Sequence, residues 1–206
     1  MNVHSQPSSA PSDTRSAILK AALGLFVERG FHGTTVPQIA SRAGVAAGTM
    51  YRHFQSKEEL VNVLYREAKG RFMQSFASDL SGADGLSAGA SPRQQFRWFW
   101  FRVVDYARTH GDELAFLELH HHAAYLDQES LALEASSLEA FASFFEQPSI
   151  RKEMKPLPGK VLMVIVWGIL AQLFKTYRLG HLPWSDALIA EAEAAAWDSV
   201  VAVPAS

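Results

Sequence analysis

The chain has no cysteine, which excludes disulfides and thiolate metal sites and suits a reducing cytoplasm. It also lacks a Gly-x-Ser-x-Gly elbow, a His-Glu-x-x-His pair and a phosphate-binding loop, so nothing in it assembles a nucleophile or a metal-activated water, and no enzymatic activity is expected. A bilayer crossing needs about 20 apolar residues. The apolar stretch from Val161 to Phe174, broken by Gly168 and Gln172 and bounded by Lys160 and Lys175, falls short of that, and no membrane span is expected. Residues 1–13, MNVHSQPSSAPSD, carry neither a basic start nor an apolar run. They read as a disordered tail rather than a secretory signal, with Arg15 and its neighbours able to reach an anionic partner. No cofactor or metal is expected.

What is present is enough apolar material for a core, 48% of 206 residues, and a charge that divides unevenly. The net charge is −2, yet residues 1–57 hold six lysines and arginines against two acids, leaving a basic head on an acidic body. Within that head, Thr35 followed by Gln38 reads as a capping box opening a short helix, and Gly44 supplies the left-handed residue on which that helix stops. A second short helix runs from about Ala47 to Phe54. Two such helices across a glycine-bearing turn make a helix-turn-helix, whose second member lies in the DNA major groove. On it, Gly48 lets the backbone approach closely, Ala47 offers a methyl to a thymine methyl, and Thr49 has a hydroxyl for a base edge. Tyr51, Arg52, His53 and Lys57 carry donors suited to phosphate oxygens. Ser56 with Glu59 forms a second capping box, so a helix N-terminus opens beside the same surface.

The order of these residues resembles the DNA-binding domain of the TetR family of bacterial transcriptional regulators. The resemblance lies in Thr35, Ile39-Ala40, Ala43-Gly44-Val45, Gly48-Thr49-Met50-Tyr51-Arg52-His53-Phe54 and Ser56-Lys57-Glu58-Glu59-Leu60. It implies phosphate contacts from Thr35, Tyr51, His53 and Lys57, with Ala47, Gly48 and Thr49 facing bases. One residue departs from the pattern. Where the family often has Ser, this chain has Ala46, leaving the reading helix without a side-chain N-cap. By resemblance the whole is all-α, about nine helices, with a three-helix helix-turn-helix domain at 14–57 and a ligand-binding and dimerisation domain at 58–202.

Helical spacing supplies the rest. Ile18, Ala22, Leu25 and Phe26 form the core stripe of a first helix, Thr14–Arg29, and Leu60, Leu64, Ala68, Phe72 and Phe76 that of a fourth, from Lys57 to about Leu80, which braces the small head. Ser81 to Ser91 is a loop. The helix opening at Pro92 holds Phe96, Trp98, Phe99, Trp100 and Phe101 nearly all round it, so no face of it should tolerate water. Family bodies enclose a small-molecule pocket, which implies a mostly apolar effector. Trp98, Phe99, Arg102, Tyr106, Glu118, His121, His122, Tyr125, Trp167 and Gln172 are the candidate lining. His120, His121 and His122 point about 100 degrees apart and cannot converge on one metal. Glu118 meets His121 and His122 at helical spacing, but further metal ligands are lacking. Val161, Ile165, Gly168, Ile169 and Ala171, with Ala192, Ala195 and Ala196 of the last helix, are candidates for a two-fold interface. The expected partners are therefore palindromic double-stranded DNA, a small effector and a second copy. The alternative is a helical ligand-binding protein that no longer binds DNA.

Overall fold

The computed structural model describes residues 11–77, 89–118 and 124–202. These residues form ten helices and no strand. The head is α1 (Pro11–Arg29), α2 (Val36–Arg42) and α3 (Ala47–His53). α1 is described from Pro11, three residues before the expected Thr14, with Asp13 in its first turn complementing its positive end. Ile18, Ala22, Leu25 and Phe26 are buried with Ile39, Met50 and Phe54 in one core. Gly30, at φ 69°, ends α1, and Phe31 turns back until its ring lies 5.9 Å from that of Phe26. The fully buried Thr34 closes this turn, its hydroxyl lying 3.1 Å from the Leu25 carbonyl and 2.8 Å from that of Gly30. It thereby meets carbonyls that the end of a helix leaves without partners.

α4 (Lys57–Ala77) crosses from head to body. Leu60, Leu64, Ala68 and Phe72 are buried along it and Phe76 is partly so, as four-residue spacing requires. The body continues with α5 (Pro92–Thr109), α6 (Gly111–Glu118), α7 (Gln128–Glu146), α8 (Pro148–Arg151), α9 (Gly159–Arg178) and α10 (Asp186–Val200). The helix beyond the expected nine is α8, a single turn that Pro148 starts. The Ser81–Ser91 loop lies mostly outside the described residues, and His120–His122 lies wholly outside them.

α5 corrects the expectation that no face of it meets water. Phe96, Trp100, Val103 and Val104 are buried, but Arg97, Asp105 and Arg108 are exposed, and Trp98, Phe99 and Phe101 are only half-buried. The guanidinium of Arg97 stands 4.9 Å from the Phe101 ring centre and that of Arg102 5.8 Å from the Trp98 ring. Cations laid over aromatic faces cover apolar surface while keeping their charge hydrated. α9 is also longer than its apolar run. At 20 residues it is the one described helix long and apolar enough to cross a membrane by length and composition, and in the fold it packs on α7 and α10.

α10 is fastened to α5 by charge. Glu193 is 0% exposed and receives both guanidinium nitrogens of Arg93, one at 2.7 Å, and Arg97 at 3.2 Å. Trp197 lies beneath Arg93, 5.4 Å from its guanidinium carbon. Removing both cations strands a fully buried carboxylate, at a cost of about 3–5 kcal/mol. Arg93→Met/Arg97→Met should therefore lower the urea midpoint by that equivalent, whereas either single change, which leaves one cation, should cost less than half as much. Equal losses from single and double variants would contradict the pairing.

Candidate nucleic-acid interface and ligand cavity

The turn between α2 and α3 is built as the spacing requires. Gln38 Oε1 accepts from the Thr35 N–H at 2.9 Å, one half of a capping box, and Gly44 adopts φ 69°. α3 then rests on the buried Met50 and turns its other side outward: Ala47, Gly48, Tyr51 and Arg52 are exposed, and Thr49 and His53 half-exposed. Tyr51 is 55% exposed, large for an aromatic side chain. A Cβ at Gly48 would meet nothing within 4 Å, so glycine is not required there by packing inside the chain. Ala46 sits at the N-cap of α3 and provides no side-chain cap. Ser56 caps α4, accepting from the Glu59 N–H at 3.0 Å, and Glu59 reaches back to the Gln55 N–H.

Two cations of the head are differently engaged than the sequence suggested. Arg15 pairs with Glu67 of α4 at 2.8 Å. The Lys57 ammonium donates to the carbonyls of Phe31 and Thr34, both at 2.9 Å, and lies 4.0 Å from the centre of the Phe31 ring. Lys57, expected on a phosphate, thus uses two of its three donors on main-chain carbonyls at the end of α1. On its other side Phe31 is stacked by Tyr125, centroid to centroid 4.0 Å. Tyr125 is therefore a head-to-body contact and not pocket lining. Its neighbourhood is tied to α4 as well. The buried Asn62 donates to the Tyr125 carbonyl and accepts from the Asp127 N–H, each at 2.8 Å. Arg66 grips the Asp127 carboxylate at 2.8 and 3.0 Å. That pairing, with the Ser130 N–H, holds the Asp127 pKa below the usual carboxylate range, the Ser130 N–H being the larger cause.

Within the body, α4, α6, α7 and α9 enclose a cavity of about 90 Å³. Phe72, Phe141, Met163 and Trp167 give it apolar walls, and Leu138 and Val164, both also exposed to solvent, frame its mouth. Four polar residues enter it: Lys69, Glu118, Glu134 and Ser137. Lys69, its side chain 7% exposed, pairs with Glu134 at 2.9 Å, and the Tyr65 hydroxyl donates to the same carboxylate. Glu118 accepts from the Trp167 indole N–H at 2.6 Å. Burial raises the Glu118 pKa above its ordinary value, against the opposing effects of that N–H and of Lys69.

Of the expected pocket residues, the structure brings Glu118 and Trp167 together here. The other described ones lie elsewhere. Phe99 packs among Phe76, Phe141 and Phe144. Arg102 and Tyr106 face an open polar groove between α4 and α5, Trp98 lies half-buried beside Arg102 and against Phe76, its indole nitrogen buried, and His121 and His122 fall outside the described residues. Gln172 is exposed and bonds along its own helix to Thr176, because the buried stripe of α9 runs through Leu162, Val166, Leu170 and Phe174. Lys69, Glu134 and Tyr65 were missed. Each reads in sequence as an ordinary surface residue of an amphipathic helix, and only their convergence marks them.

The candidate two-fold face is also redrawn. Ala196 is fully buried inside the chain and Ala192 packs against the core, so α10 turns that side to α9 and not outward. Val161, Gly168 and Ala195 are exposed, while Ile165, Ile169 and Ala171 are half-buried. Val164, at 61% exposed, is the most exposed of the large apolar residues among those described. Val161 of α9 and Leu131 and Leu138 of α7 are exposed as well, apolar side chains that nothing among the described residues covers.

A helix-turn-helix head carried on a helical body defines a class of regulator, and the comparisons make the class specific. Residues 18–64 match the bacterial regulatory proteins of the tetR family, and residues 70–202 match the tetracyclin repressor-like C-terminal domain. The chain belongs to the TetR family. The HTH-type transcriptional repressor KstR2 of Rhodococcus jostii is 38% identical over 84 residues, which is 39% of this chain and 41% of that protein. The fatty acid metabolism regulator protein of Bacillus subtilis is 38% identical over 63 residues, 31% of this chain and 32% of its own length. The match thus spans less than half of either relative. Among solved structures, a TetR family regulator from Marinobacter aquaeolei superimposes with a TM-score of 0.76 at 22% identity, covering 93% of this chain and 97% of that one. The ketosteroid transcriptional regulator KstR2 of Mycobacterium tuberculosis gives 0.72 at 19% identity, covering 98% and 100%. At such identities these establish the shared fold.

The raised pKa of Glu118 has a sign that can be measured. The folded state holds its proton more tightly than the unfolded chain, so stability falls as pH rises from the unfolded pKa through the folded one. Glu118→Gln, which keeps an acceptor for Trp167, should be more stable than the native protein at neutral pH. The difference should vanish at pH values below the ordinary carboxylate range. A less stable variant at neutral pH would mean that Lys69 and Trp167 outweigh burial.

Proposed function

We propose that the chain is a ligand-responsive, DNA-binding transcriptional regulator of the cytoplasm, a repressor that binds a palindromic operator as a homodimer and is released by a small, mostly apolar effector. The observation that carries this is the outward face of α3: Ala47, Gly48, Thr49, Tyr51 and Arg52 share one exposed surface, while Met50 behind them is buried. An exposed tyrosine and arginine beside an unhindered glycine suit a duplex, with side chains on phosphates and backbone near base edges. The names of the relatives, a transcriptional repressor and a metabolic regulator, support the same reading. Thr35 and His53 join as phosphate contacts, and Lys57 contributes chiefly by holding α4 against the end of α1.

The second copy is assigned to the uncovered apolar surface of α9 and α7. One three-helix head makes few phosphate contacts, whereas two heads joined through the bodies read two half-sites at once. Gly168, with no neighbour where a Cβ would be, leaves room for the partner to approach. The effector occupies the cavity that ends at Glu118. It acts by preferring one body conformation, and operator and effector must then weaken each other by the same factor.

Selection of bound fragments from a random duplex library tests the reading. The native chain should enrich an inverted repeat. Thr49→Ala/Tyr51→Phe should enrich nothing, and Val164→Arg should sediment as a monomer and recover only single half-sites, bound at least tenfold more weakly. Failure of the native chain to enrich any duplex would favour the alternative, a helical ligand-binding protein that has lost its operator.

A further inference from the structure

Resting on the reading of the body cavity as the effector site, we propose that the effector is an apolar primary amine, whose ammonium pairs with Glu118 and whose hydrocarbon part lies toward the mouth between Leu138 and Val164. The argument is a charge balance. Lys69 is matched by Glu134 at 2.9 Å, and Tyr65 donates to the same Glu134 carboxylate. Glu118 makes no ion pair of its own among the described residues. One of its oxygens takes the Trp167 N–H, and the other has no hydrogen-bond donor among the described residues. Glu118 is half-buried, and a carboxylate partly withdrawn from water without a charge partner is costly; its pKa is raised accordingly. A ligand ammonium supplies both the missing charge and the missing donors.

The walls agree with this. The Phe72 and Trp167 rings stand 5.8 Å apart, and those of Phe141 and Trp167 6.4 Å apart. Aromatic faces attract a desolvated cation and give nothing to an anion. A carboxylate ligand would bring a second negative charge to Glu118, while Lys69, the one cation among the described lining residues, is already engaged. A neutral alcohol can donate to the second Glu118 oxygen but leaves its charge unbalanced. The volume limits size: about 90 Å³ is less than the roughly 150 Å³ cavity that admits benzene. The head group and a short branched chain fit inside, and anything longer must extend through the mouth.

Three compounds that share one hydrocarbon skeleton and differ in the polar group test the assignment: isobutylamine, isobutanol and isovalerate, titrated into the full chain by calorimetry at neutral pH. The amine should bind saturably, one per chain, about tenfold or more tightly than the alcohol, with no binding of the carboxylate. Glu118→Gln should lose that tenfold advantage, so that amine and alcohol bind alike. Ser137→Leu, which fills the cavity from α7, should lose both. Alcohol or carboxylate binding more tightly than amine, and lost in Ser137→Leu, would keep the cavity as the effector site and overturn the amine. Amine binding that survives Ser137→Leu would overturn both the amine assignment and the cavity, as would no binding by any of the three. Thermal melts of both variants establish that each is folded.

Discussion

The head of this protein is too small to stand alone, and the structure depends on how it is braced. About 45 residues in three helices bury little of their surface, so the head takes its stability from α4, which it shares with the body. The clearest sign is Phe31, which has the Lys57 ammonium 4.0 Å from one face of its ring and the Tyr125 ring stacked at 4.0 Å. One side chain of the head is thus held between the start of α4 and the start of the α7 region. Phe116 of α6 adds a second contact, its ring 6.0 Å from Phe26 in the core of the head. The orientation of α3 is therefore a property of the body as much as of the head.

That constraint gives the cavity its consequence. Lys69 and Phe72 line it from α4, Glu118 from the end of α6, and Glu134 from α7. Of these, α4 and α6 also hold Phe31 and Phe26, and Tyr125, stacked on Phe31, lies just before α7. Lys57 and Lys69 lie on the same helix, about 18 Å apart at 1.5 Å per residue. A rigid helix with the cavity in its middle and the head at its end carries a small rotation from one to the other. Asn62 and Arg66, between those points, fix the 125–127 segment to the same helix. An effector in the cavity would therefore work on one connected unit, and would need only a differential affinity for two placements of α4.

Much of the head was legible in sequence because its signals are local. Thr35 with Gln38, Gly44, and Ser56 with Glu59 each act within a few residues, and the apolar stripes of α1 and α4 follow from helical period alone. The body was legible as helices but not as a site. Lys69 and Glu134 are far apart in sequence, and no spacing rule joins them. α5 looked apolar all round because its rings were counted without the arginines that cover them. Gln172 was assigned inward as a polar interruption of an apolar run, whereas the buried phase of α9 places it outside. Ala196 and Ala192 looked like a surface for a partner, yet small residues serve equally for packing on α9. Lys57 sat in a motif that points to phosphate, and only folding shows its ammonium among carbonyls.

The central claim is that α4 joins the head to the cavity, and hydrogen exchange of the full chain with and without its selected duplex tests it most directly. DNA binding should slow exchange in α3 and should also change it along α4 at Lys69–Phe72 and in α7 at Ser137–Phe141, while α10 stays as it was. Protection confined to residues 14–57, with the cavity segments unaltered, would contradict the coupling and leave the head and the cavity as independent sites on one chain.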